Sequence, residues 1–261
     1  MNHFLQLSVD YANQRNYLDS LFRVYPTIPE GIRELDSRKW EKVENSFHQQ
    51  DNQALIESLL KLNLFPIKDS YVAYLKRDKK SINLNPETIN RLGGRLYEMG
   101  LSKIWEKCSE PKETNRQMGP LFKRWLGRGS LGIQPIGLDE FIASTNNAIL
   151  DASDEEMKRF ASEFLGYTHS KGLDLVARFN GKYVIGEAKF LTDFGGHQNA
   201  QFADAISTIE SPVNTDVIKV AILDGVLYIP GNNKMYKDIT QRYNDYNIMS
   251  ALVLPDFLYQ V

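Results

Sequence analysis

Three charged side chains, Asp174, Glu187 and Lys189, interrupt two apolar runs that otherwise predict an ordinary β-hairpin. The runs flank the dipeptide Asn180-Gly181, which strongly favours a two-residue turn between antiparallel strands. Such a turn fixes the register, so that Asp174 lies directly opposite Glu187. Because successive side chains of a strand point to opposite faces, all three charged residues are predicted on one face of the hairpin.

Two facing carboxylates repel each other, at a cost of a few tenths to about 1 kcal/mol, unless a cation lies between them. Mg²⁺ suits such a site because it takes one or two carboxylates together with waters and substrate phosphate oxygens. Asp174 and Glu187 are therefore candidate metal ligands, and the backbone carbonyl of Ala188 is a further one. Lys189 would lie beside the attacking water, where it could hold or help deprotonate the nucleophile and offset charge on a phosphate.

The predicted hairpin also has a core face, which should hold the charged residues against the protein interior. This face comprises Leu173, Leu175, Ala177, Phe179, Val184, Gly186, Ala188 and Phe190. The opposite face is partly apolar too, because Val176, Tyr183 and Ile185 share it with the charged residues, and this favours a cleft over open solvent. The alternative is an amphipathic hairpin whose solvated face carries its charges by chance.

The elements that position the hairpin change character near Gly166. Before it, apolar spacing predicts helices at residues 52–65, 85–100, 114–127 and 153–166. The last begins with a capping box of Ser153 and Glu156, whereas Gly119-Pro120 interrupts the basic helix 114–127. After it, strands are predicted at 173–179, 182–190, 216–230 and 248–258, with a helix at 195–210. The fold class is thus α/β (α+β), a small mixed sheet flanked by helices, with a helical N-terminal half.

Composition and charge restrict the class of protein. The 261 residues are 42% hydrophobic and 25% charged, as in soluble globular proteins. A single cysteine excludes an intrachain disulfide and a cysteine-based zinc site. No apolar run is long enough to span a membrane, and the N-terminus has no export signal, so we expect no membrane partner and a cytoplasmic location.

The charges are unevenly distributed along the chain. Residues 61–130 carry 15 basic and 7 acidic side chains, whereas residues 131–261 carry 10 basic and 17 acidic ones. This distribution indicates a polyanion partner for the first region and a cation-binding region in the second. Chance clustering on a solvated surface remains the alternative.

The arrangement of Asp174 followed by Glu187-Ala188-Lys189 on a second strand resembles the PD-(D/E)xK nuclease family. The resemblance covers about residues 153–230, and Leu173 stands where the family often has Pro. It implies a restriction-endonuclease-like core and a Mg²⁺-dependent phosphodiesterase that acts on DNA, with Mn²⁺ able to substitute. It also implies that the two acids bind the metal and that the lysine lies at the attacking water.

Within that family the chain looks most like a type II restriction endonuclease, because its size suits a single polypeptide and it has no Walker A motif for ATP. The resemblance implies cleavage of double-stranded DNA at a short, palindromic site by a homodimer. Residues 1–112 are predicted to form a helical region for DNA binding, dimerisation or both, and residues 113–261 the nuclease core. Two alternatives stay open: a structure-selective repair or recombination nuclease, and a non-catalytic DNA-binding protein.

The segment after Lys189 resembles the recognition segment of several such enzymes. Gly196 would let the backbone approach DNA closely. The side chains of His197, Gln198, Asn199 and Gln201 would then offer donors and acceptors to base edges, with Asn and Gln suited to adenine. The alternative is a glycine turn capped by polar residues.

Three basic residues of the 114–127 helix, Arg116, Lys123 and Arg124, are candidate contacts to DNA phosphates, which position a duplex without reading its sequence. Glu163, on the helix before the hairpin, is a candidate additional acid that would reach the metal through water. For each of these four residues the alternative is an ordinary solvated surface position.

Overall fold

The chain divides into two compact units, one formed by Met1–Thr27 with Glu113–Val261 and the other by Ile28–Lys112. The structure is a computed structural model, and it describes residues 1–27, 34–111 and 117–261. The first unit contains a β-sheet, and the second is helical in its described residues. We refer to them as the sheet unit and the helical unit.

Residues 1–27 belong to the sheet unit, which corrects the predicted boundary at residue 112. Helices α1 (His3–Ala12) and α2 (Tyr17–Val24) bury Leu5, Val9 and Leu21 in the same core as the central strands. The amide of Ser250 also donates to Ser8 Oγ at 2.9 Å. The local pattern of residues 1–27 shows their helices but not the distant strands that these helices cover. The proposed roles of the helical region in DNA binding or dimerisation remain predictions.

The sheet has five strands in the order β1-β2-β3-β4-β5 and confirms the mixed α/β class. Strands β1, β2 and β3 pair antiparallel, whereas β3, β4 and β5 pair parallel. The strands are β1 (Ala148–Ile149), β2 (Leu175–Phe179), β3 (Lys182–Leu191), β4 (Val217–Gly225) and β5 (Ile248–Met249). Strand β3 is the longest and lies at the centre, so its residues are fixed from both sides.

Helices cover both faces of the sheet. The remaining α-helices of this unit are α9 (Met118–Gly127), α10 (Leu138–Ala143), α11 (Asp154–Phe164), α12 (Gly196–Glu210), α13 (Lys234–Lys237) and α14 (Leu254–Gln260). On one face, Ala177 and Val184 lie in a core with α9 and α12. On the other, Val176 and Ile185 lie in a core with α10 and α11. The second face, predicted to line a cleft, is therefore buried as far as Ile185.

Two predicted elements differ from the structure in more than their bounds. The predicted strand 248–258 is a two-residue strand followed by α14, because Pro255 suits the first turn of a helix and cannot donate to a sheet ladder. Helix α9 is not interrupted at Gly119-Pro120. It begins at Met118, so that Pro120 falls in the first turn, where its missing N–H is not needed.

The helical unit has its own core. It consists of α3 (Ser37–His48), α4 (Asn52–Leu59), α5 (Ser70–Arg77), α6 (Ser81–Leu84), α7 (Pro86–Met99) and α8 (Leu101–Cys108). Apolar residues from all six helices meet in one cluster that includes Leu55, Leu92 and Ile104. None of the helices in the described ranges is long and apolar enough to cross a membrane.

Candidate active site

The β2–β3 hairpin has the predicted register. Phe179 pairs with Lys182, and the ladder continues to Leu175 and Gly186. Asn180 and Gly181 have φ values of 51° and 78°, the left-handed conformation at both central positions that a type I′ turn requires. The turn chemistry therefore sets which residues of β3 face the start of β2.

Asp174 lies one residue before β2, so it is not a ladder partner of Glu187 as predicted. Its amide donates to Gly186 O at 3.0 Å, and its Oδ2 accepts from the amide of Ala188 at 2.9 Å. Strand β3 extends beyond the start of β2, and the Asp174 carboxylate replaces the backbone acceptor that is missing there. Leu173 packs in the core of Val176 and Ile185, opposite to its predicted face, because strand alternation breaks at this point.

The structure brings the three predicted catalytic side chains together. Lys189 Nζ forms an ion pair with Glu187 Oε1 and lies 3.9 Å from Asp174 Oδ2. Glu187 is 8% exposed, and Asp174 and Lys189 are largely buried. The carbonyl of Ala188 points to the same edge of β3 as its amide, because a strand residue directs both groups towards one neighbour. All four predicted metal-site and catalytic groups on the hairpin thus converge on one edge of β3.

Burial dominates the electrostatics of this cluster. It raises the pKa of Glu187 to about 7, an effect that the charge of Asp174 increases and Lys189 opposes. Burial likewise raises the pKa of Asp174, against Lys189 and the Ala188 amide. For Lys189, burial lowers the pKa, but the two carboxylates outweigh it and hold the pKa above its ordinary value. The two acids therefore favour a further positive charge, which a divalent cation would supply by displacing a proton.

A third carboxylate, Asp154, lies near the cluster. It is the first residue of α11, its backbone carbonyl accepts from Leu173 N at 3.4 Å, and a Cβ on Gly172 would lie 2.8 Å from its Cβ. The charge of Asp154 contributes to the raised pKa of both Asp174 and Glu187. The sequence analysis missed this residue, because an acid in the first turn of a helix is explained equally well by the helix dipole.

Lys123 of α9, whose side chain is 32% exposed, contacts Asp154. Its Nζ forms an ion pair with Asp154 Oδ1 and donates to Ala152 O at 3.3 Å. Its charge also opposes the raised pKa of Asp174. The residue predicted as a phosphate contact is thus a second lysine close to the carboxylates.

The predicted additional acid, Glu163, lies elsewhere. It is nine residues along α11 from Asp154, which corresponds to roughly 13 Å at the rise of an α-helix, and it is exposed. Asp154 occupies the position near the cluster that Glu163 was expected to reach. Within the described ranges no group of three or more His, Cys, Asp or Glu side chains could hold a metal ion. A metal site on the hairpin would therefore have two carboxylate ligands, the number that Mg²⁺ ordinarily takes.

Four of the five predicted base-contact residues are exposed or partly exposed at the start of α12, and one is buried. Gln198 is buried, and its Oε1 accepts from Thr192 N at 3.2 Å, so it holds the segment after β3 in place instead of facing DNA. His197 contacts Gln201 at 3.2 Å, and Asn199 Nδ2 donates to Phe194 O at 3.2 Å. Gly196 is exposed at the first position of the helix.

The two remaining phosphate candidates have different outcomes. Arg124 is exposed on α9, on the same helix as Lys123. Arg116 lies outside the described residues. The DNA-contact assignments of Arg116, Lys123, Arg124 and the exposed residues of α12 remain predictions.

A buried polar network fixes the ends of β3 and β4. Asp224 is fully buried and accepts from Tyr25 Oη at 2.9 Å, from Ser250 Oγ at 2.5 Å and from Ala251 N at 3.2 Å. Burial raises the pKa of Asp224 to about 6, although these hydrogen bonds oppose the shift. Tyr25 also packs edge-on against Phe190, the β3 residue that pairs with Asp224 and follows Lys189.

A family model described as Tsp45I type II restriction enzyme matches residues 2–261, which is nearly the whole chain. No curated protein matches the chain, and no solved structure matches it. The match includes the helical unit as well as the hairpin.

Proposed function

The chain belongs to the Tsp45I type II restriction enzyme family, a family of site-specific deoxyribonucleases, and we propose that it is a homodimer that cuts both strands of a short palindrome using Mg²⁺. The observation that carries this proposal is the convergence of Asp174, Glu187 and Lys189 on one edge of β3. A palindrome follows from two-fold symmetry, because two identical half-sites match two identical subunits. Because the proposed substrate is DNA inside the cell, we propose that the protein acts in the cytoplasm.

The donor set fits a hard divalent cation. Asp174 and Glu187 would hold Mg²⁺ with the carbonyl of Ala188, and the ion when bound would stabilise negative charge on the phosphate as a Lewis acid. Both carboxylates are buried with a raised pKa, so the protein has already removed them from bulk water. Mn²⁺, a hard cation that takes the same oxygen ligands, would substitute.

Lys189 has a defined part in hydrolysis. The carboxylates keep it protonated before the cation enters, so it first acts as a hydrogen-bond donor that orients water and faces the phosphate charge. With a cation held by the two carboxylates, their charges would no longer raise the pKa of Lys189, whereas burial, which lowers it, would remain. Lys189 would then be closer to accepting a proton from the attacking water as the new phosphorus–oxygen bond forms. The bond to the 3′ oxygen would break, and that oxygen would take a proton from solvent.

Two alternatives from the sequence are disfavoured. The family match favours a choice of site by sequence over a choice by DNA structure. A non-catalytic DNA-binding protein has no need for a buried lysine between two carboxylates, and all three side chains are present and in contact.

Digestion of a sequenced plasmid tests the proposal. We expect the protein to produce discrete, reproducible fragments with Mg²⁺ or Mn²⁺ and no cleavage in EDTA. Mapped ends should fall in the same short sequence on both strands. Intact plasmid under all conditions, or cuts only at flaps, junctions and ends, would contradict it.

A further inference from the structure

The helical unit carries a concentration of positive charge on and beside α5. We define the α5 basic surface by the five exposed side chains Lys68, Lys76, Arg77, Lys79 and Lys80. Within the part of the chain that the structure describes, none of the five forms an ion pair. They occupy 13 consecutive sequence positions, 68–80, which include only two acidic residues.

Five other cations of the same unit are paired with neighbouring acids. Ion pairs within 4 Å join Arg91 to Asp69, Arg95 to Glu98, Lys103 to Glu106, Lys107 to Glu110 and Lys39 to Asp36. The two acids of the segment 68–80 are also engaged. Asp69 accepts from Tyr71 N at 2.9 Å and pairs with Arg91, and Asp78 accepts from Lys80 N at 3.1 Å. The charge of the α5 basic surface is therefore uncompensated, in contrast to the paired cations around it.

The stability of the helices does not account for this charge. Lys76 and Arg77 lie in the last turn of α5, where cations interact favourably with the helix dipole. Lys68, Lys79 and Lys80 lie outside α5, and α6 is a single turn of four residues, so helix dipoles give no reason for cations at these three positions. Helix stability therefore does not account for the surface as a whole.

Exposed tyrosines lie among these cations. Tyr71 is 63% exposed and Tyr74 is 62% exposed, whereas Val72 and Leu75 of the same helix are buried in the core of the unit. The Arg91 guanidinium lies 5.6 Å from the centre of the Tyr71 ring. Tyrosine hydroxyls donate hydrogen bonds to phosphate oxygens, so the outward side of α5 combines charge with neutral donors.

We propose that the α5 basic surface binds the sugar–phosphate backbone of duplex DNA. This inference rests on the proposed function, because it takes DNA as the polyanion that five unpaired cations complement. Contacts of this kind position a duplex and supply affinity without reading its sequence. The surface therefore contributes to binding strength and to its salt dependence, and not to the bond-breaking step.

The experiment compares two variants of the full chain that each remove four cations from the helical unit. The test variant is Lys76→Ala, Arg77→Ala, Lys79→Ala and Lys80→Ala. The matched control is Lys39→Ala, Arg95→Ala, Lys103→Ala and Lys107→Ala, whose cations are already paired. Fluorescence anisotropy of a labelled duplex in EDTA, at several salt concentrations, gives affinity and salt dependence without cleavage.

We expect the test variant to lose about 10-fold or more in affinity at roughly 0.1 M salt, with the slope of log K against log salt reduced by about 0.9 for each phosphate contact removed. The control should bind within about 2-fold of wild type. Single-turnover cleavage at saturating enzyme should be unchanged in both. If the quadruple variant is less stable than wild type, the single variants Arg77→Ala and Lys80→Ala take its place. Each should reduce the slope of log K against log salt by about one unit.

Two outcomes would overturn the inference. If the test variant binds the duplex as tightly as wild type, the surface does not bind DNA. If both variants lose the same affinity, the loss reflects the change in net charge and not this surface. If wild type still cuts plasmid into discrete fragments in either case, the proposed function stands and only this surface is misassigned. If wild type neither binds nor cuts DNA, both fail.

Discussion

Replacing Lys189 with alanine is expected to reduce the rate of DNA cleavage by about 10²–10⁴-fold, the range that a positioned acid–base or charge-stabilising group supplies. Lys189 pairs with Glu187 and lies 3.9 Å from Asp174, whereas the second lysine of the region, Lys123, is paired with Asp154. Glu187→Gln should have an effect at least as large, because it removes the charge of one of two carboxylates that would hold the cation. Single-turnover cleavage of a duplex containing the mapped site measures both rates.

Lys171→Ala is the matched control for this prediction. Lys171 is an exposed lysine of the same unit that pairs with Asp204 at 3.2 Å and does not contact the two acids. Its loss should leave the cleavage rate within about 2-fold of wild type, and thermal melts should show that all three variants are folded. A Lys189→Ala enzyme that cuts within about 3-fold of wild type would remove Lys189 from the catalytic assignment.

Replacing Gly225 with alanine is expected to destabilise the protein by about 3 kcal/mol or more. Gly225 has φ of 100°, and a Cβ there would lie 2.1 Å from the backbone oxygen of Leu191. Left-handed strain costs about 1–2 kcal/mol for a residue with a side chain, and overpacking about 1–3 kcal/mol. Leu191 is the ladder partner of Gly225 and follows Lys189 by two residues, so the substitution also displaces the catalytic end of β3.

Gly181→Ala separates the two causes. Gly181 has φ of 78° but open space around its Cα, so its substitution by alanine introduces strain without a clash. It should cost only about 1–2 kcal/mol. Thermal melts compare the variants, with roughly 2–4 °C expected for each kcal/mol in a chain of this size. Equal shifts for the two substitutions would show that Gly225 is not confined by Leu191.

Local chemistry explains why the centre of the site could be predicted from the sequence. Asn180-Gly181 fixed the hairpin register, and the register determined which residues of β3 meet the start of β2. The capping box at Ser153 also begins α11 as expected, with Glu156 N donating to Ser153 Oγ at 3.3 Å. Both signals act over a few residues and do not depend on the rest of the fold.

The features that could not be predicted arise from packing between distant segments. Asp154 and Lys123 approach the cluster only because α9 and α11 cover the sheet. Gln198 has the amide side chain that is typical of base-reading residues. This amide is buried, however, and its Oε1 accepts from Thr192 N, so Gln198 holds the segment after β3 in place. Asp174 reaches Ala188 because β2 begins only at Leu175, one residue after Asp174, which no alternation pattern indicates.

The central claim is that Asp174 and Glu187 together hold the divalent cation that Lys189 works beside. Anomalous diffraction from crystals soaked in MnCl₂ tests it most directly. We predict a manganese peak within coordination distance of both carboxylates and of the Ala188 carbonyl, and its loss in crystals of Glu187→Gln. A fully occupied manganese site elsewhere, with no density between Asp174 and Glu187, would contradict the account.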